Sequence, residues 1–156
     1  MSMNLEREHA LEAAIGRLPR IRLGIRPTPL EGMPRLSEAL GGPPLYVKRD
    51  DLTGLAFGGN KTRMLEFGMA EAKARGADTV VFSAAVQSNY CRQLAAACAK
   101  LGLELHLLLR PERSADREEV QGNHFLHRLF GARITFLEDN DLSKKAAAIA
   151  GKVEEL

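Results

Sequence analysis

The hydrophobic and polar positions of this chain repeat one unit three times from residue 60 onward: a helical pattern, a glycine and a short apolar run of strand type. Each glycine stands where a helix commonly ends, and each apolar run has the length of a buried strand. Three such units predict an α/β fold, an open parallel sheet flanked by helices. The predicted elements are helix 60–75 before Gly76 and strand 78–82, helix 89–101 before Gly102 and strand 103–109, and a third helix, capped by Asp116 with Glu119 three positions on, before Gly131 and strand 133–137.

The two ends of the chain do not follow this unit. Residues 5–15 have the pattern of a short amphipathic helix, and residues 24–34 are predicted to be extended because their prolines oppose a helix. A short strand is predicted at 45–48 and a last helix at 142–156. The charged residues 48–51 are interpreted as structural, since such clusters are more often paired than catalytic. The strand at 45–48 would leave an unpaired edge in isolation, so we expect a homo-oligomer or a marginally stable fold.

Composition is that of an ordinary soluble globular protein, with 45% hydrophobic and 27% charged residues. The net charge is only +2 and the basic residues are scattered, which disfavours nucleic acid as a partner. The sequence contains neither an apolar run of membrane-spanning length nor a signal-peptide pattern, so we expect a cytoplasmic protein without a membrane partner. Cys91 and Cys98 are interpreted as reduced packing residues, because their helical spacing separates the backbones by about 10 Å.

Lys61 stands at the start of the helix predicted over 60–75, in the stretch GGNKTRMLEF. The helical period places it at the head of an apolar stripe. The stripe comprises Met64, Leu65, Gly68 and Ala72, and the opposite face comprises Thr62, Glu66 and Lys73. Such a lysine can simply lay its stem over apolar neighbours and extend its ammonium into water. It can also attack a carbonyl group, because the helix dipole and partial burial favour the neutral amine. The pattern leaves both interpretations open.

Residues 54–62 (GLAFGGNKT) nearly match the phosphate-binding loop G-x-x-x-x-G-K-[ST]. Asn60 is inserted between the glycine and Lys61, which rotates the lysine by about 100° relative to that loop. No strand ending in small apolar residues followed by Asp appears downstream to hold magnesium. A nucleotide triphosphatase is therefore disfavoured, and no metal site is predicted.

The segment AAVQSNYCRQ, residues 84–93, follows the strand predicted at 78–82. In open parallel sheets, ligands bind beyond the carboxyl ends of the strands, which is where this loop lies. Ser88 and Asn89 are both residue types that cap helices, so one of them is expected to cap the helix that follows. The N-terminus of that helix also carries free backbone donors and a partial positive charge, which suit a carboxylate or phosphate.

Taken together, these segments resemble the D-cysteine desulfhydrase and 1-aminocyclopropane-1-carboxylate (ACC) deaminase family, pyridoxal-phosphate (PLP) enzymes of fold type II. The resemblance extends over roughly residues 18–137. Any one motif would be a weak signal, but KRDD, GGNK and QSN in this order and context are highly specific. The segments that carry it are RPTPL at 26–30, VKRDDLT at 47–53, GGNK at 58–61, VQSNYCRQ at 86–93 and GN at 122–123.

The resemblance implies PLP as cofactor and a role for each of five residues. Lys61 resembles the residue that holds the cofactor covalently and then moves protons at the substrate α carbon, and Asn60 resembles a residue that positions it. Asn89 resembles the side chain that hydrogen-bonds the phenolic oxygen of the cofactor. Ser88 resembles a catalytic hydroxyl that contacts the substrate carboxylate and assists proton transfer, and the amides around Asn89 and Tyr90 resemble the pocket for that carboxylate.

Tyr90 departs from the family pattern. Relatives that are desulfhydrases usually carry His at this position, and the deaminases carry Gln. A phenol can donate a hydrogen bond as an imidazole does, but it is a poor base near neutrality. The identity of the substrate is therefore open among small amino acids, including D-cysteine and ACC.

The length also departs from the family, whose members are about twice as long. By the resemblance, residues 1–53 form an N-terminal arm and strand of the large cofactor domain, and residues 54–156 form the small α/β domain. The C-terminal half of the family fold, with its glycine-rich phosphate cradle, is then absent from this chain.

The function that the resemblance implies is that of a PLP-dependent lyase or deaminase acting on a small amino acid. The reaction would be a desulfhydrase-like β-elimination or a deaminase-like ring opening, with activity in doubt for a chain of this length. The alternative, from a different functional class, is a noncatalytic α/β binding module.

Overall fold

The structure, a computed structural model, describes residues 2–138 and 142–156. None of the helices in these ranges is long and apolar enough to cross a membrane. The helices and strands, in chain order, are α1 (Ser2–Gly16), β1 (Leu30–Gly32), α2 (Pro34–Leu40), β2 (Tyr46–Lys48), α3 (Lys61–Ala74), β3 (Thr79–Ala85), α4 (Asn89–Leu101), β4 (Glu104–Arg110), α5 (Gly122–Leu129), β5 (Arg133–Phe136) and α6 (Lys145–Glu155).

The last three strands form one parallel sheet in the order β3, β4, β5. Ser83 of β3 lies opposite Leu108 of β4, which in turn lies opposite Thr135 of β5. Parallel neighbours require a crossover connection, and α4 and α5 provide the two crossovers. The predicted α/β fold with an open parallel sheet flanked by helices is confirmed. The carboxyl ends of β3 and β4 share one edge of the sheet, and the loop to α4 leaves from that edge.

The core is built around β4, whose residues 105–109 are all buried. A nearly continuous apolar run is what a central parallel strand requires, because both of its faces are covered. α4 packs on the sheet through small side chains, which allow the helix to approach closely. Its buried members include Cys91 and Cys98, and both cysteines are free, as predicted. Burial raises the pKa of Cys91 to about 11 and that of Cys98 to about 12.

The N-terminal part of the chain contains a separate two-stranded sheet. The strand predicted at 45–48 forms as β2, and it pairs antiparallel with β1, which the sequence pattern did not predict. Helix α1 also forms, but its described side chains from residue 5 onward are all exposed. The amphipathic pattern predicted for 5–15 therefore has no buried face within the described residues.

Glu66 of α3 attaches the segment before β1 to the rest of the fold. Its buried carboxylate accepts hydrogen bonds from the backbone N–H groups of Leu23 (3.0 Å) and Gly24 (3.2 Å) and pairs with Arg20 at 2.6 Å. Burial alone would raise the pKa of Glu66, but these two N–H donors and the Arg20 guanidinium outweigh burial and hold the pKa below its usual value. The contact fixes α3 against the N-terminal segment.

The start predicted for the third helix is wrong. Asp116 lies in a 3-10 turn, Ser114–Arg117, where its carboxylate accepts from the backbone N–H of Arg113 and pairs with the guanidinium of the same residue at 2.8 Å. These local bonds occupy the carboxylate of Asp116 within the 3-10 turn, so Asp116 does not cap α5. The helix begins only at Gly122. The end predicted at Gly131 agrees with its left-handed φ of +81°.

Candidate active site at the N-termini of helices 3 and 4

Two glycines make the tight turn that places Lys61 at the first position of α3. Both have positive φ, +73° at Gly58 and +131° at Gly59. A Cβ on Gly58 would overlap the backbone oxygen of Asp51, and a Cβ on Gly59 would overlap the side-chain amide of Gln93. The two glycines are therefore required by the close approach of other groups as well as by their backbone angles.

Lys61 is half-buried and makes no hydrogen bond or ion pair to any residue that the structure describes. The prediction that Lys61 heads a buried apolar stripe is wrong, since Met64 is 58% exposed and Gly68 is exposed. The buried face of α3 lies to one side of Lys61 and includes residues that we placed on the opposite face. Its members are Thr62, Leu65, Glu66, Met69 and Ala70. Thr62 and Glu66 are buried because each is hydrogen-bonded to a distant segment.

Gln93 of α4 connects the first turns of α3 and α4. Its buried Oε1 accepts from both the backbone N–H and the hydroxyl of Thr62, each at 2.7 Å. Arg92 of α4 makes a second contact with the segment that leads into α3, because it donates to the backbone oxygen of Gly58 at 3.1 Å. Lys61 is thus held beside the beginning of α4. We did not single out Gln93 from sequence, although it is the one uncharged polar residue just before the run LAAACA.

Ser88 is the N-cap of α4, which confirms the prediction that either Ser88 or Asn89 caps this helix. Its backbone is extended (φ −64°, ψ 121°) and its Oγ accepts from the backbone N–H of Cys91 at 3.2 Å. A hydroxyl that accepts through a lone pair keeps its own proton for a second partner. Ser88 can therefore donate a hydrogen bond to a ligand while it caps the helix.

Asn89, the first residue of α4, has an exposed side chain whose Oδ1 accepts from Asn123 at 3.0 Å. Asn123 belongs to the GN pair recognised in the sequence, but no site role was predicted for it. Asn60 occupies the position before α3 without a capping hydrogen bond from its side chain, which is exposed. Its role in positioning Lys61 stays a prediction.

Tyr90 is half-buried, and its ring stacks on Phe82 of β3 with centroids 4.7 Å apart and an interplanar angle of 28°. Burial raises the pKa of its phenol. The phenol therefore remains protonated near neutrality, which agrees with the expectation that it is a poor base. The predicted contact of this residue with a substrate carboxylate remains a prediction.

Three of the four charged residues at 48–51 form ion pairs and Lys48 donates to the backbone oxygen of Thr28, which agrees with the structural interpretation. Arg49 binds Asp51 at 2.7 Å and Glu31 at 2.8 Å. Asp50 binds the guanidinium of Arg63 at 2.7 Å, and this hydrogen bond is the main cause that holds the pKa of Asp50 below its usual value. The cluster joins the N-terminal segment to α3.

A family model described as pyridoxal-phosphate dependent enzyme matches residues 21–156. The chain belongs to the pyridoxal-phosphate dependent enzyme family. The resemblance noted in the sequence is confirmed, and PLP is the cofactor of this family.

Relatives within this PLP-dependent family are similar over most of the chain. The D-cysteine desulfhydrases of Salmonella paratyphi B and Salmonella newport are each 43% identical over 141 residues, which cover 88% of this chain and 43% of each relative. A crystal structure described as that of an ACC deaminase homologue superimposes with a TM-score of 0.83 at 35% identity and covers 92% of this chain and 42% of that one. The chain thus spans less than half the length of these relatives.

The donor set of the site fits one end of PLP. Lys61 supplies an amine without a competing carboxylate partner among the described residues, and Ser88 and Asn89 supply hydrogen-bond donors at a helix N-terminus. An amine nucleophile and neutral donors suit the aldehyde and phenolic oxygen of PLP. No cluster of three potential metal ligands from His, Cys, Asp or Glu occurs within the described ranges.

Proposed function

We propose that this chain carries the lysine-bearing part of a PLP-dependent lyase or deaminase that acts on a small amino acid. The reaction is either a β-elimination, as the name D-cysteine desulfhydrase indicates for the relatives, or a ring opening of the ACC deaminase kind. The observation that carries this proposal is the position of the half-buried residue Lys61, which the Thr62–Gln93 contact holds beside the N-terminus of α4. The sequence motifs and the family match support the same assignment.

Each residue has a distinct role in this proposal. Lys61 would hold the cofactor through Nζ, and its amine would take a proton from the substrate α carbon or return one there. Asn89 would donate to the phenolic oxygen of the cofactor, and Ser88 would donate to the substrate carboxylate at the N-terminus of α4. Asn60 orients Lys61, and the amides around Tyr90 complete the carboxylate site. When bound, PLP supplies the electron sink for the pair that the departing α proton leaves behind.

The domain division is also part of the proposal. Residues 1–53 would belong with a large cofactor domain, and residues 54–156 would form the small domain. The presence of two separate sheets, one in each part, supports this division. The length of the relatives beyond the matched region is sufficient for a further domain.

We further infer a cytoplasmic homo-oligomer. Each strand of the β1–β2 sheet has only one partner within the described chain, so each leaves an open edge. Light scattering coupled to size-exclusion chromatography tests this point. A mass at least twice the 17.1 kDa of the chain is expected, and a monomer across the accessible concentration range would refute it.

Titration with PLP, followed by absorbance, tests the proposed function. Wild type should gain, saturably, the yellow band that arises when a lysine amine condenses with the aldehyde of PLP. Lys61→Ala should lose this saturable band. Lys73→Ala, a matched control at an exposed lysine of the same helix, should keep it. Equal colour in wild type and Lys61→Ala would mean that surface lysines react, and a noncatalytic α/β binding module would then be the better account.

A further inference from the structure

The turn before α4 and the first turn of α5 hold each other through a reciprocal set of hydrogen bonds. The side chain of Gln87 accepts from the backbone N–H of Asn123 at 2.9 Å and donates to the backbone oxygen of Gln121 at 3.3 Å. In return, Nδ2 of Asn123 donates to the backbone oxygen of Gln87 at 2.7 Å. Gly122 completes the contact, because a Cβ there would lie 2.8 Å from Oε1 of Gln87.

These bonds determine which way the Asn123 amide faces. The backbone oxygen of Gln87 can only accept, so the atom of Asn123 next to it must be the NH2 nitrogen. The same nitrogen lies 3.0 Å from the side chain of Asn89. Its two hydrogens then serve both neighbours, one for the Gln87 carbonyl and one for Asn89.

The orientation of Asn123 in turn determines that of Asn89. Two NH2 groups facing each other would leave hydrogens in contact and no acceptor, so Asn89 must direct Oδ1 toward Asn123. Oδ1 and Nδ2 lie on opposite sides of the side-chain carbon. The NH2 group of Asn89 is therefore directed away from α5, on an exposed side chain at the first position of α4.

We propose that Asn123 is a positioning residue that fixes the Asn89 amide so that it presents hydrogen-bond donors, and no acceptor, to the ligand. The site thereby selects a ligand oxygen that accepts, such as an ionised phenolic oxygen. This inference deepens the proposed function, since the ligand assigned to Asn89 rests on that proposal. The orientation of the amide itself does not depend on it.

Asn123→Asp tests the proposal because it exchanges the donor for an acceptor at almost constant size. At neutral pH the carboxylate cannot donate to Gln87 or Asn89, so the Asn89 amide is released or reversed. An acidic residue in the first turn of α5 interacts favourably with the helix N-terminus, which favours retention of the fold. Gln121→Ala is the matched control, since it removes only an exposed side-chain contact, to Glu119, from the same turn.

The first measurement needs no cofactor. The side-chain amide resonances of Asn89, assigned by their loss in Asn89→Asp, should shift in Asn123→Asp and stay in place in Gln121→Ala. If the resonances are unchanged in Asn123→Asp while the backbone spectrum remains folded, the positioning role is refuted. This result stands whether or not the chain binds PLP.

The second measurement uses PLP. We expect the dissociation constant to rise about tenfold in Asn123→Asp and less than about twofold in Gln121→Ala, as for loss of one hydrogen bond to a charged group. Loss of a donor also favours the protonated phenol, so the yellow band should weaken relative to the near-ultraviolet band. A merely structural residue would leave this ratio unchanged. If Asn123→Asp has the affinity of wild type and the same ratio of the yellow to the near-ultraviolet band, the inference is overturned. If wild type itself shows no yellow band, the result counts against the proposed function instead.

Discussion

Replacement of Gln93 by leucine should loosen the attachment of α3 to α4. The change removes the oxygen that accepts from both the backbone N–H and the hydroxyl of Thr62, and it places an apolar side chain of similar volume in a position that is 1% exposed. The turn that carries Lys61 would then lose its hydrogen bonds to α4 through Gln93. Stability and cofactor attachment should both respond.

The magnitude follows from the contacts that Thr62 retains. Two hydrogen bonds of 2.7 Å are lost, each with a net contribution of about 1 kcal/mol. The Thr62 N–H still has the backbone oxygen of Gly59 at 3.3 Å, and its hydroxyl still has Thr53 at 3.5 Å. The penalty for unpaired buried groups is therefore only partial, and we expect a total loss of about 2–3 kcal/mol in unfolding free energy.

Urea denaturation followed by circular dichroism measures this loss through the midpoint at constant m-value. Gln121→Leu is the matched control, because it makes the same replacement at an exposed position and should change stability by less than about 0.5 kcal/mol. If Gln93→Leu is as stable as this control, the contact between Gln93 and Thr62 does not hold the two helices together.

Further predictions concern glycines, a buried carboxylate and the thiols. Gly58→Ala should cost at least about 3 kcal/mol in a urea titration, whereas Gly68→Ala, with open space around its Cβ, should stabilise α3 by about 0.5–1 kcal/mol; equal effects would contradict the packing argument. Because the folded state lowers the pKa of Glu66, its ionised carboxylate contributes stability above the ordinary carboxyl pKa near 4.5, and this contribution is lost as the pH falls. The stability difference between wild type and Glu66→Gln should therefore shrink in acid. A constant difference would contradict the assignment. Cys91 and Cys98, with raised pKa values, should react with Ellman's reagent at pH 8 only after unfolding, and rapid reaction of the native protein would show that they are accessible.

The parallel sheet was predictable because its signals are local. Each strand of the sheet is a compact apolar run, and each preceding helix ends at a glycine that adopts positive φ, at Gly76, Gly102 and Gly131. The positions of Lys61 and Ser88 at the N-termini of α3 and α4 were also predictable, because the sequence pattern locates both helix starts to within one residue.

The buried face of α3 was not predictable from periodicity. The pattern treats polar side chains as exposed, yet Thr62 and Glu66 are buried. Their hydrogen-bond partners lie 31 residues away for Thr62 and 42 and 43 residues away for Glu66, so the pattern within the helix does not reveal them. The pairing of β1 with β2 and the roles of Gln93 and Asn123 also depend on contacts between segments that are separated in sequence. Only the folded chain brings these groups together.

Lys61 is the residue on which the whole account depends, and chemical trapping tests it most directly. The chain is equilibrated with substoichiometric PLP and reduced with borohydride, and the modified lysines are quantified by peptide mass spectrometry. We expect most of the label on Lys61, and Gln93→Leu should lower this share. Label distributed among Lys61, Lys73 and Lys100 according to their exposure would contradict it.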